Sequence, residues 1–297
     1  MTNTYTGIRS FMKTSVGPVG HKPISTVGVC YDLGTSNRPG ARLGPTAIRD
    51  ASAMLCDGRN PYTDMSYDDI LKNVGDIGDV EIDRVVPIAM LESDFTKLVD
   101  KTKLISMGGD HTITYPILKA HYKKYGKMSL VHFDAHIDAW DEGKTPNHGN
   151  FLRLAIEDGL VDPERIVQIG IRSSSPKSNN DWLIDRGIIQ YNASTVHKMN
   201  LDDLADDIIQ STDGLPTYMT FDIDCLDASQ APGTGTPEVG GLFTWQIMEI
   251  MKQLHSKNKK LIGADLVEVC PAYDVSQITA LAGATIMWNM ISLMDVK

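Results

Sequence analysis

Four apolar runs in this chain each end on a cluster of acidic or histidine residues, and few folds accommodate that pattern. Leu104-Ile105-Ser106 leads to Met107-Gly108-Gly109-Asp110-His111-Thr112. Ser129-Leu130-Val131-His132-Phe133 leads to Asp134-Ala135-His136-Ile137-Asp138. Tyr218-Met219-Thr220-Phe221 leads to Asp222-Ile223-Asp224-Cys225-Leu226-Asp227, and Ile262-Gly263-Ala264-Asp265-Leu266-Val267 leads to Glu268. The runs are short and lack strict polar–apolar alternation, as strands buried on both faces do. They predict strands over 103–106, 129–133, 217–221 and 260–267, and similar runs predict others at 26–31, 165–171 and 187–192. Helical stripes lie between them. Leu201, Leu204, Ala205 and Ile208 share one face, as do Ile247, Met248, Met251 and Leu254, with Thr244 as an N-cap. Alternating strands and helices predict an α/β fold with a mostly parallel sheet covered on both faces. Ligands bind such sheets just beyond the carboxyl ends of the strands, so four strand ends aim at one crevice. The motifs span residues 107–268. The chain therefore reads as one domain over 1–297, because any cut would divide the site.

Composition narrows the function. A formal net charge of −10 argues against nucleic-acid binding and suits a small cationic substrate. The cysteines, Cys30, Cys56, Cys225 and Cys270, are widely spaced with no Cys-x-x-Cys pair, which fits a reduced, cytoplasmic protein. The first residues hold no apolar h-region and no run reaches membrane-spanning length, so neither a signal peptide nor a membrane partner is expected.

The polar clusters point to metal. In Asp134-Ala135-His136-Ile137-Asp138 the polar side chains recur at i, i+2 and i+4, which share one face of an extended chain. Asp222 and Asp224 repeat the spacing, and Gly108-Gly109 lets the backbone turn and bring His111 in. A lone Asp-x-Asp is usually a turn, and a lone Gly-Gly-Asp-His usually a loop. Three such clusters at the ends of apolar strands cost several kcal/mol unless something neutralises them. Four aspartates carry −4, which two divalent cations balance. Oxygen-rich ligands without cysteine favour manganese over zinc. Two ions roughly 3.5–4 Å apart acidify a shared water enough to give a hydroxide nucleophile.

Three segments resemble the signatures of the ureohydrolase (arginase/agmatinase) family: Gly108-Gly109-Asp110-His111-Thr112, His132-Phe133-Asp134-Ala135-His136-Ile137-Asp138, and the stretch from Phe221-Asp222-Ile223-Asp224 through Ala231 and Thr236 to Gly241. The likeness runs from about residue 27 to about residue 284 and includes Arg38 to Arg49 and Val267-Glu268-Val269-Cys270-Pro271. It is nearest to the agmatinases. The resemblance implies a three-layer α/β/α fold with an eight-stranded, mostly parallel sheet, and a homotrimer or homohexamer, with residues 1–24 read as an N-terminal extension for oligomer contacts. It implies two Mn2+ per chain, one on His111, Asp134, Asp138 and Asp222, the other on Asp134, His136, Asp222 and Asp224, with Asp134 and Asp222 bridging. It casts His148 as a proton shuttle and Glu268 as the carboxylate that grips a guanidinium. Asn150 and Thr236 join them as substrate-side residues, and Asp227 is expected to orient ligands or close its loop.

The chemistry so implied is attack of hydroxide on a guanidinium carbon. Asp138 holds the nucleophile's remaining proton, Glu268 fixes the guanidinium plane, and His148 or a water protonates the leaving amine. Agmatine, giving putrescine and urea, is the first expectation. Ile137, Ala139, Trp140 and Asn150 depart from the usual agmatinase pattern in a loop that borders the substrate tail. A guanidino acid such as 4-guanidinobutanoate or 3-guanidinopropanoate is therefore the alternative, with Lys144 and Asn147 near its carboxylate instead of Asp141 and Glu142 near an ammonium. A zinc deacetylase of the same fold is a remote alternative, since it has no need of His111, Asp138 and Asp224 together. His132 reads as a hydrogen-bonded core residue.

Overall fold

The computed structural model describes residues 4, 6–80 and 87–294. Among the described residues nine strands form one sheet: β1 (Ser15–Val16), β2 (Ile24–Val29), β3 (Val74–Val80), β4 (Lys103–Met107), β5 (Met128–Phe133), β6 (Val161–Ile171), β7 (Ile189–Asn192), β8 (Thr217–Asp222) and β9 (Gly263–Val267). Their order across the sheet is β1-β3-β2-β4-β9-β8-β5-β6-β7, with neighbouring strands parallel throughout. The four strands that end in polar clusters, β4, β9, β8 and β5, are immediate neighbours at the centre.

Strand alternation divides the apolar residues between two cores. Ile105, Met107, Val131, Phe133, Met219 and Phe221 face one side, where the helices Gly44–Ser52, Leu201–Ser211, Thr244–Ser256 and Ile278–Ser292 pack. Leu104, Met128, Leu130 and Tyr218 face the other, against Pro87–Val99, Thr114–Tyr125 and Phe151–Glu157. This is the three-layer α/β/α arrangement expected, with nine strands in place of eight. Strand β3 was not expected because Val74-Gly75-Asp76-Ile77-Gly78-Asp79-Val80 carries two glycines and two aspartates, residues poor in strands. Strand β1 was not expected because it has only two residues. Thr244 opens its helix but does not cap it through its side chain; Gln246 accepts the Phe243 N–H at 3.0 Å. Among the described residues no helix is long and apolar enough to cross a membrane.

The polar residues of β3 have a structural use. Arg49, on the helix Gly44–Ser52, pairs in a fork with Asp76 at 2.8 and 2.9 Å and reaches Asp79 at 2.5 Å. Asp76 also accepts the Phe11 N–H at 2.8 Å. Phe11 and Met12, within the stretch read as an extension, are thereby buried in the first core. Replacing Asp76 with alanine leaves the Arg49 guanidinium buried without its main partner. Urea unfolding of Asp76→Ala is expected to show about 3–5 kcal/mol less stability than the parent; a loss under 1 kcal/mol would mean the pair holds little together.

Candidate metal centre

The backbone beyond β4 passes so close to its neighbours that only glycine fits: a Cβ on Gly109 would stand 1.7 Å from the Tyr31 carbonyl oxygen. Asp110 then accepts the Thr112 N–H at 2.9 Å and the Gly34 N–H at 2.8 Å. That starts the short helix His111–Ile113 and turns His111 inward, its ring stacked on Phe151 at 4.2 Å.

His111 Nδ1 lies 3.1 Å from Asp134 Oδ2, 3.0 Å from Asp138 Oδ2 and 3.3 Å from Asp222 Oδ2. Its other nitrogen, Nε2, is 2.8 Å from the Thr220 hydroxyl. That hydroxyl donates to Asp265 Oδ1 at 2.5 Å, and Asp265 also receives the hydroxyls of Tyr218 and Thr114 at 2.8 and 3.1 Å. With its proton given to Asp265, the Thr220 oxygen must accept from Nε2–H. A neutral ring so held aims its Nδ1 lone pair at three carboxylates, with no hydrogen bond to Nδ1; burial works against a charged ring, yet Asp134, Asp138 and Asp222 push its pKa well above the ordinary value. A lone pair facing three anionic oxygens is repulsive unless a cation stands among them. The residues present thus fit a divalent ion.

A second group sits beside the first. His136 Nδ1 is 3.1 Å from Asp224 Oδ2 and 3.4 Å from Asp134 Oδ1. Asp134 thus takes part in both groups, one oxygen in each. Asp222 turns Oδ2 to His111 and accepts the Asp224 N–H at Oδ1 over 2.8 Å. Burial raises Asp138 and Asp222 above the usual carboxylate range, and neighbouring aspartate charges push them further. Burial works against a charged His136, yet Asp224 and Asp134 push it up to about 12. Each shift is the response of crowded, desolvated carboxylates to a shortage of positive charge.

Asp138 and Glu268 hold positive φ angles of 46° and 66°. Such backbone costs on the order of 1–3 kcal/mol in residues with side chains and clusters at functional sites. It turns both carboxylates toward the centre. Glu268 Oε1 accepts the His111 N–H at 3.0 Å and lies 3.2 Å from His148 Nδ1, whereas Oε2 is buried and unbonded. His148 Nε2 meets Ser36, whose hydroxyl is 2.8 Å and whose amide is 3.1 Å away. Burial lowers the His148 pKa, but Glu268, with Asp138 and Asp110 behind it, pushes it up to about 9.

A cavity of about 470 Å³ opens above these groups, lined among others by Ser36, His136, Asp138, Trp140, Glu142 and His148. Thr236 lines it too and donates to Asp224 Oδ2 at 3.2 Å. Asn150 does not line it. Its buried amide accepts the Asn147 N–H at 2.8 Å and donates to Thr145 O at 3.0 Å, so it braces the loop. Asp227 closes its own loop on the amides of Gly240 and Gly241. The segment Gly34-Thr35-Ser36 went unread in the sequence because a short glycine and hydroxyl loop carries no local mark of a site. Thr220 and Asp265 did carry one, as polar residues inside buried apolar strands.

Three comparisons bear on this arrangement. The model of the arginase family matches residues 22–292. The agmatinase of Chromobacterium violaceum is 40% identical, the alignment covering 99% of this chain and 91% of that protein. Among solved structures, a hypothetical agmatinase from Burkholderia thailandensis superposes with a TM-score of 0.90 at 40% identity, covering 98% of this chain and 91% of that one. The proclavaminate amidino hydrolase of Streptomyces clavuligerus superposes with a TM-score of 0.90 at 32% identity, covering 98% of both chains.

Asp134 has an oxygen in each group and His136 belongs to one. Manganese titration of the metal-free protein is therefore expected to show Asp134→Ala weakening two ions and His136→Ala weakening one. Equal loss of both ions in the two variants would contradict the two-group arrangement.

Proposed function

This chain is a ureohydrolase of the arginase family, and we propose that it hydrolyses agmatine to putrescine and urea with two manganese ions per chain. One observation carries the substrate: Asp138, Glu142 and Asp222 line the cavity, and among the described residues no lysine or arginine does. A substrate cationic at both ends suits such a lining, whereas a guanidino acid needs a positive partner for its carboxylate. Lys144, the candidate for that task, is tied to Glu157 instead. Asp141 is likewise engaged, by Arg153 at 3.1 Å. Glu142 is the acid left facing the cavity. The Gly149 N–H fixes Asn147 Oδ1 at 2.9 Å, and Asn147 Nδ2 in turn holds Glu142 Oε2 at 2.8 Å, presenting its carboxylate to a distal ammonium. Trp140 provides a wall for the methylenes between.

His111, Asp134, Asp138 and Asp222 would hold one ion, and His136 and Asp224, with Asp134 and Asp222 shared, the other. Bound there, divalent cations supply a water acidic enough to attack at neutral pH. Glu268 receives the guanidinium through Oε2, the oxygen left unbonded; Gly235 keeps that approach open, since a Cβ there would come within 3.4 Å. Asp138 accepts a hydrogen bond from the attacking water and so aims it. His148 delivers a proton to the departing amine. Ser36 can serve both protonation states of His148, its hydroxyl oxygen accepting from Nε2–H and its amide donating to bare Nε2. Thr236 steadies Asp224. We read the chain as a cytoplasmic homotrimer or homohexamer; four cysteines without a disulfide support that compartment.

The deciding measurement is kcat/KM for agmatine, 4-guanidinobutanoate, 3-guanidinopropanoate and arginine under equal manganese loading. Agmatine is expected to lead, and a guanidino acid ahead by tenfold would end the agmatine reading. Glu142→Gln is expected to raise KM for agmatine about tenfold with kcat little changed, the pattern of lost uniform binding. His148→Asn is expected to lower kcat by roughly 10²–10⁴, the range for a general acid–base group, with manganese content unaltered. Loss of metal instead would mark His148 as a ligand.

A further inference from the structure

Inside the second apolar core runs a row of three polar side chains that the reaction does not call for. His132 on β5 is in register with Gln168 on β6, and Gln168 with Gln190 on β7. His132 and Gln168 are fully buried. The three are joined end to end, and the direction of each bond can be read. Gln168 Nε2 lies 2.9 Å from the Ile137 carbonyl, which can only accept, so the nitrogen end of that amide is fixed. The Gln190 amide donates to the opposite end, Gln168 Oε1, at 2.7 Å. The second N–H of Gln168 is then directed at His132 Nδ1, 3.1 Å away, which must accept it. The ring proton of neutral His132 therefore sits on Nε2, and Nε2 donates to Asp134 Oδ2 at 2.8 Å.

The consequence falls on Asp134. One of its oxygens takes the His132 N–H; the other takes the His136 backbone N–H at 2.6 Å. Each oxygen keeps lone-pair capacity, Oδ2 on the side of His111 Nδ1 and Oδ1 on the side of His136 Nδ1. We propose that His132, locked by Gln168 and Gln190, is a positioning residue that holds Asp134 with one oxygen turned to each ligand group. His132 stands near enough to His111, Asp134 and Asp138 to be counted as a ligand itself. The bond direction excludes it, because the nitrogen facing the group carries the proton. The inference rests on the two-ion reading of the site.

The test is Mn2+ binding to the metal-free full-length protein, followed by electron paramagnetic resonance, which registers free and bound ion independently of turnover. His132→Leu removes the N–H. It is expected to weaken binding by about 10–100-fold, the usual cost of losing a group behind a metal ligand, while two ions still bind at saturation. His132→Gln places an amide N–H at the position of Nε2 and is expected to recover most of that loss, which a merely space-filling role for the ring would not predict. If His132→Leu cannot be folded, His132→Phe, which keeps a planar ring without the N–H, is compared with His132→Gln in its place. Parent-like affinity in His132→Leu or in His132→Phe would overturn the proposal. Saturation of His132→Leu at one ion would overturn it too, by making His132 a ligand. A parent protein that takes up no pair of ions would defeat the two-ion reading before any variant is compared.

Discussion

Four aspartates, buried together and, among the described residues, paired with no lysine or arginine, are the constraint around which this molecule is arranged. Isolated carboxylates in such surroundings would give up their charge. Here Asp134, Asp222 and Asp224 are held by backbone amides, the His132 nitrogen and a threonine, and Asp138 is turned inward by its own positive-φ backbone. Added positive charge relieves their repulsion. The sheet brings this about: β4, β9, β8 and β5 lie side by side in parallel, which places four carboxyl ends at one level. Two of the inward-turned carboxylates, Asp138 and Glu268, also need backbone angles that side-chain-bearing residues seldom adopt.

Much of the centre could be read without coordinates because the signal was local. A polar residue at every second position after an apolar run, repeated on separate strands, has few explanations. The central strands and the clustering of His111, Asp134, His136, Asp138, Asp222 and Asp224 follow from that pattern and from the family resemblance. What could not be read was contact between distant segments. Ser36 meets His148 from 112 positions away, and nothing in the residues around Ser36 announces it. Strand β3 was hidden because its aspartates serve Arg49, a tertiary use that overrides strand preference. Asn150 was placed by resemblance, and the part its amide plays in bracing its own loop could not be read from the residues around it.

The histidines show why proton location matters more than proximity. His111, His132, His136 and His148 crowd one region, yet their nitrogens face different partners. The Thr220–Asp265 pair leaves His111 with a bare nitrogen toward the carboxylates. The Gln168 amide leaves His132 with a protonated one. Ser36 and Glu268 occupy both sides of His148. Four copies of one side chain thus receive different tasks from neighbours that are not themselves reactive.

The ligand-bearing turns follow directly from the central strands, and their spacing is set by the hydrogen bonds of the sheet. The outer walls of the cavity come instead from two loops, around Ser36 and between Trp140 and Asn147, which belong to no strand. Mutation can therefore remodel what enters the cavity without moving the atoms that do the chemistry. A lineage built this way can acquire new substrates one loop at a time while the reaction itself is inherited unchanged. The likeness in backbone to the proclavaminate amidino hydrolase, kept at 32% identity, is what such a history would leave behind.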